Sequence, residues 1–112
     1  MAILSSFKFL EAANDAIDSN ILTNSDCNTF ILQATSEENS AYTAFVQGKV
    51  DVENGDWSNL YLNNLNGGNS VNSITSDGIY TTDVTGVSNI RISLTEITAG
   101  AVTVFGKLDK KF

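Results

Sequence analysis

From Thr29 onward the apolar residues recur with a period near two, in runs of five to eight separated by short polar turns. That alternation is the pattern of half-buried β-strands, whose successive side chains point to opposite faces. Thr29-Phe-Ile-Leu-Gln-Ala34 is apolar at both parities, as expected of a central strand. Ala44, Val46, Gly48, Val50 and Val52 form one small apolar face, with Thr43, Gln47, Lys49 and Asp51 on the other. Asn54-Gly55-Asp56 then reads as a turn, because Asn-Gly readily takes positive φ. Trp57 to Leu62 is expected as the next strand, with Leu60 and Leu62 on one face, and Asn63 to Ser70 as a loop. Asp77-Gly78 turns into the strand Ile79 to Val84, and Thr85-Gly86 turns again. Ile90, Ile92 and Leu94 alternate with Arg91, Ser93 and Thr95; after Gly100, Val102, Val104 and Leu108 alternate with Thr103, Phe105 and Lys107. Two alternating runs around a short Gly-containing loop are expected to pair as a β-hairpin, Ile90–Ile97 with Ala101–Leu108.

The N-terminal segment supports two readings. Leu10, Ala13 and Ile17 stand at helical spacing behind a possible cap at Ser6, whereas Phe7 and Phe9 alternate around Lys8 as in a strand. Seven or eight short strands at intervals near ten residues give an all-β fold, a single antiparallel β-sandwich or jelly-roll domain. Residues 1–26 form an N-terminal arm, helix or first strands, and 27–112 the body of the sandwich.

Composition narrows the function. A chain of 112 residues fits one domain and leaves much surface exposed, so self-association is expected. Thirteen acidic against six basic residues give a net charge of -7, which disfavours nucleic acid and anionic membranes as partners. Among 13 Asn, 12 Ser and 11 Thr there is no Asn-x-Ser/Thr acceptor, and no signal peptide or apolar spanning run is read. No histidine is present, and Cys27 is the lone cysteine. The usual general base and metal ligand are therefore missing, and no disulfide can close within the chain.

Each remaining candidate has a plain structural alternative. Asp51, Glu53 and Asp56 could offer oxygens to calcium, but their spacing is not that of an EF-hand and a hairpin turn needs only Asn54-Gly55. Asp77 and Asp83 could be a glycosidase pair, though each also precedes a turn. Cys27 without a base is a small hydrophobe rather than a nucleophile. Trp57, Tyr61, Tyr80 and Tyr42 could line a carbohydrate platform, or serve packing and assembly. No catalytic, metal or cofactor site is expected; Trp57, Tyr61 and Tyr80 are the candidate interface or ligand aromatics.

Val50-Asp-Val-Glu-Asn-Gly-Asp-Trp57 followed by Leu60, then Asp77-Gly-Ile-Tyr80, Asp83-Val-Thr-Gly86, Arg91-Ile-Ser-Leu-Thr95 and Gly100-Ala-Val-Thr-Val104, occur in that order. Over Thr29 to Leu108 this resembles small β-sandwich modules of tailed-bacteriophage virions, found in capsid decoration proteins, head fibres and tail or baseplate components. The resemblance implies a non-enzymatic virion structural protein, assembled in the host cytoplasm, homo-oligomeric and often trimeric, with a major capsid or tail protein as partner. An auxiliary protein on the capsid surface is the leading expectation, ahead of a small tail or neck component. A carbohydrate- or cell-surface-binding module is the alternative from another class.

Overall fold

The computed structural model describes residues 6–37, 40–51, 53, 55–110. Eleven strands are found there and no helix: β1 (Phe7–Ala13), β2 (Ile17–Asp18), β3 (Leu22–Thr23), β4 (Thr29–Ser36), β5 (Ala41–Lys49), β6 (Ser58–Asn59), β7 (Leu62–Asn64), β8 (Ser70–Val71), β9 (Gly78–Asp83), β10 (Asn89–Ala99) and β11 (Val102–Asp109). They form two antiparallel sheets. The larger runs β1-β11-β4-β9-β7-β8; the smaller runs β2-β10-β5-β6, with β3 beside β2 on the same edge of β10. The sheets pack face to face as a single β-sandwich, as the alternation requires.

The core lies between them. Phe30, Leu32 and Ala34 of β4, Leu62 of β7, Tyr80 of β9, and Val102 and Val104 of β11 meet Tyr42, Ala44 and Val46 of β5 and Ile90, Ile92 and Leu94 of β10. Gly106 belongs to this packing although it has no side chain. A Cβ there would stand 2.6 Å from the Phe30 ring and 3.0 Å from Phe9, so the aromatics of β1 and β4 occupy the space that glycine leaves.

Several expectations change. The two C-terminal runs are both strands, with Ile92 and Val104 fully buried as their alternation demands, but they do not pair with each other. β10 pairs with β5, and β11 with β4 and β1, so the turn at Gly100 carries the chain from one sheet to the other. The face that a strand buries is local information; its hydrogen-bonding partner is not. Trp57 to Leu62 likewise splits, β6 joining β5 in the smaller sheet and β7 joining β9 in the larger. Leu60 lies at the crossing, where its N–H donates to the Val46 carbonyl at 2.8 Å.

The expected loop Asn63 to Ser70 is mostly a tight hairpin, in which Leu62 opposes Val71 and Asn63 opposes Ser70. Val50 is 72% exposed because β5 ends one residue earlier, at Lys49. Its expected partner on that face, Val52, and the first residue of the Asn-Gly turn, Asn54, lie outside the described residues. The N-terminal ambiguity resolves as strand. β1 pairs with β11, with two register shifts that let consecutive Phe9 and Leu10 both reach the core.

Candidate functional site

Strand alternation puts Gln47 and Lys49 of β5 and Arg91 of β10 on the outer side of the smaller sheet, and Trp57 reaches the same side from the approach to β6. The register sets Arg91 opposite Gln47, and Gln47 opposite Asn59. The Arg91 guanidinium lies 4.4 Å from the centre of the Trp57 ring, its Nε–H donates to Gln47 Oε1 at 2.8 Å, and Nη1 is 3.5 Å from Asp18 Oδ2. Gln47 Nε2 donates in turn to Asn59 Oδ1 at 2.9 Å, and the Ser93 hydroxyl donates to Asp18 Oδ1 at 2.6 Å. The Lys49 ammonium stands 5.1 Å from the same indole. Two cations on one ring, with the guanidinium plane held by an amide and a carboxylate, form an ordered cationic-aromatic patch in a chain whose net charge is negative. Trp and Arg are also the residues that most often dominate binding surfaces. Chemically the patch can stack, donate hydrogen bonds and attract carboxylates.

The other sequence candidates do not join this patch. Tyr61 is 75% exposed, between β6 and β7. Tyr80 is 1% exposed, and its hydroxyl donates to the Ser76 carbonyl at 2.7 Å, so its ring belongs to the core. Tyr42 is also buried, and its hydroxyl donates to Asp77 Oδ1 at 2.9 Å. Burial first, then the Asp77 carboxylate, pushes the Tyr42 phenol well above its ordinary value. Asp77 accepts further bonds from the Ser36 N–H at 3.1 Å and the Ser36 hydroxyl at 2.7 Å. One carboxylate thereby ties the end of β4 in the larger sheet to β5 in the smaller.

Asp83 sits at the opposite end of β9. It accepts from the Thr85 N–H and hydroxyl, which hold its carboxyl below the usual range. Six residues of extended strand separate it from Asp77 by about 20 Å, beyond the roughly 5–9.5 Å of a glycosidase pair. Asp51 is exposed and accepts from the Glu53 N–H at 2.9 Å, the bonding of a turn. Among the described residues no group of three or more acidic or cysteine side chains is placed to hold a metal.

Cys27 is a half-buried free thiol whose backbone is bonded on both sides by Asn24: its N–H donates to Asn24 Oδ1, and its carbonyl accepts from Asn24 Nδ2. Asn24 Nδ2 also reaches the carbonyls of Val84 and Val87, fastening the segment before β4 to the turn after β9. Neither the Arg91 network nor this Asn24 clamp was foreseen. Alternation marks Arg91 and Gln47 as outward residues, but nothing local says that positions 44 apart become neighbours.

No family model matches this chain, and no curated protein matches it in sequence. Solved structures do match. The fold is shared with two prophage proteins. The crystal structure of the SPBc2 prophage-derived protein YomS superposes with a TM-score of 0.82 at 20% identity, over 96% of each chain. That of the PBSX exported protein XepA superposes with a TM-score of 0.86 at 17% identity, over 95% of this chain and 37% of XepA. The chain is thus the size of YomS and spans little more than a third of XepA. At these identities the likeness is one of fold, and both of these structural neighbours are phage-derived.

Proposed function

We propose that this protein is a non-enzymatic structural subunit of a phage virion, an auxiliary protein on the capsid surface. The observation that carries the reading is the superposition on the SPBc2 prophage-derived protein YomS over 96% of each chain. The surface chemistry agrees with it: the ordered patch at Trp57 and Arg91 is equipped to contact a protein rather than to transform a substrate. A small tail or neck component is the second reading, favoured by the occurrence of the same sandwich as part of a longer chain in XepA. The carbohydrate platform loses support, because Tyr80 and Tyr42 are buried and Arg91 and Lys49 already sit against Trp57.

The subunit self-associates in this proposal, with a trimer as the order that the virion resemblance implies. Mass spectrometry of particles purified from the phage or induced lysogen carrying the gene tests the reading. The protein is expected among the particle components, and its absence overturns the proposal. Antibody labelling of the same particles then separates capsid from tail.

A further inference from the structure

The edges of this sandwich are poor docking sites. β6 and β8 are two residues long, as are β2 and β3 along the far side of β10. β1 is longer, but it carries two register shifts, the exposed Lys8 and a positive φ of 47° at Ala12. Short, bulged and charged edges resist strand addition, so contacts with other molecules fall to the faces.

The outer face of the smaller sheet carries the Arg91 patch already described. The outer face of the larger sheet is apolar at its centre. There the register sets Phe105 of β11 opposite Gln33 of β4, and Gln33 opposite Ile79 of β9. In the next row Ile31 lies between Lys107 and Thr81. Ile31, Gln33, Ile79, Phe105 and Lys107 line a shallow groove of about 570 Å³, in which Phe105 is 38% and Ile79 36% exposed. The Lys8 ammonium stands 5.4 Å from the centre of the Phe105 ring, and Lys107 is two residues along the same strand. Two of the six cations of this acidic chain therefore flank one apolar groove. Lys8 also meets Glu11 at 2.9 Å, an exposed pair of the weak kind that a partner's carboxylate can replace.

We propose that this face docks a partner protein presenting an apolar side chain flanked by carboxylates. The apolar group fills the groove between Phe105, Ile31 and Ile79, and the carboxylates meet Lys8 and Lys107. A second copy fits less well, since a twofold face-to-face pair turns this patch toward itself and brings cation toward cation. The proposal rests on the virion reading only in taking the partner to be a particle protein.

The test adds purified full-length protein back to particles from a phage lacking the gene and measures binding by co-sedimentation across protein and salt concentrations. Phe105→Asp and Ile79→Asp are each expected to weaken binding at least about tenfold, as loss of a central anchor does. Lys8→Glu with Lys107→Glu is expected to weaken it too and to flatten its salt dependence. Glu96→Gln, exposed on β10 in the other sheet and outside the Arg91 patch, is expected to bind like the wild type. Circular dichroism checks folding, and the exposed lysine variants keep the test valid if an aspartate variant unfolds. Binding unchanged in all the larger-face variants overturns this proposal and leaves the virion reading standing. A wild type that binds no particle, from a phage whose particles normally contain none, overturns both. Light scattering that shows a dimer broken by Phe105→Asp, with particle binding intact, assigns the face to self-association and also overturns it.

Discussion

Among the described residues, Tyr42 is the one whose surroundings change its acid–base chemistry most. Its neutral hydroxyl is buried and donates to Asp77, so the folded protein holds the phenolic proton more tightly than the unfolded chain does. Below the ordinary value of 10.0 both states are protonated and the group adds no pH dependence. Above it the unfolded chain ionises first, so stability falls as pH rises further. Urea denaturation between neutral and alkaline pH is expected to show this slope, and Tyr42→Phe to reduce it while costing about 1 kcal/mol at neutral pH for the lost bond to Asp77. An unchanged slope in the variant refutes the assignment.

Ile92 and Thr103 test the alternation itself. Ile92→Ala empties fully buried space and is expected to cost about 2–5 kcal/mol. Thr103→Ala removes only a half-buried hydroxyl that accepts the Ala12 N–H at 3.0 Å, and is expected to cost about 0.5–1.5 kcal/mol. Thermal melts of the two variants should rank in that order.

Among the elements, β11 pairs on both sides and packs its inner face against the aromatics of two neighbours. Gly106→Ala puts a methyl group 2.6 Å from Phe30 in the centre of that packing. Overpacking of this kind is expected to cost about 1–3 kcal/mol, read from the urea midpoint with the slope unchanged. The crossing from β10 to β11 is equally specific. Gly100 has φ +75°, a conformation that alanine adopts only with strain, and a Cβ there would also displace the Ser40 hydroxyl. A loss of about 1–3 kcal/mol is expected for Gly100→Ala. Asp77 and Asn24 act at this scale as well, the first joining the two sheets through Ser36 and Tyr42, the second joining two chain turns.

For the whole molecule the consequential feature is how far apart in sequence the paired strands lie. β1 pairs with β11 across nearly the full chain, and β5 with β10 across some forty residues. Such topologies close costly loops before any ladder forms, so folding is expected in the range of roughly milliseconds to seconds rather than microseconds. Trp57 is the only tryptophan and rests against Arg91, so its fluorescence in stopped-flow refolding reports when β10 has met the approach to β6. A phase completed within microseconds contradicts the expectation. The blunted edges bear on assembly at the same scale. Light scattering on the purified protein is expected to show a discrete oligomer rather than open-ended growth, because growth by edge pairing is blocked. A monomer at every accessible concentration counts against self-association in solution.

What the sequence determined by itself is the class of fold and the direction in which most side chains point. Ile90, Ile92, Leu94, Val102 and Val104 all lie inward, because the period of two is a property of an extended backbone wherever the strand sits. The turns at Gly55, Gly86 and Gly100 were legible for a related reason: each has positive φ, which glycine adopts at little cost. The tertiary structure alone decided which strands pair. A hairpin and a crossing between sheets carry the same alternation and the same glycine turn, so β10 and β11 could not be told apart from a hairpin locally. It also decided which aromatics are surface, since Tyr80 and Tyr61 have the same chemistry but differ in the face of the strand or link that carries them. The Arg91–Trp57 patch and the Phe105–Ile79 groove are products of register between distant strands, a quantity set by the packing of the whole core.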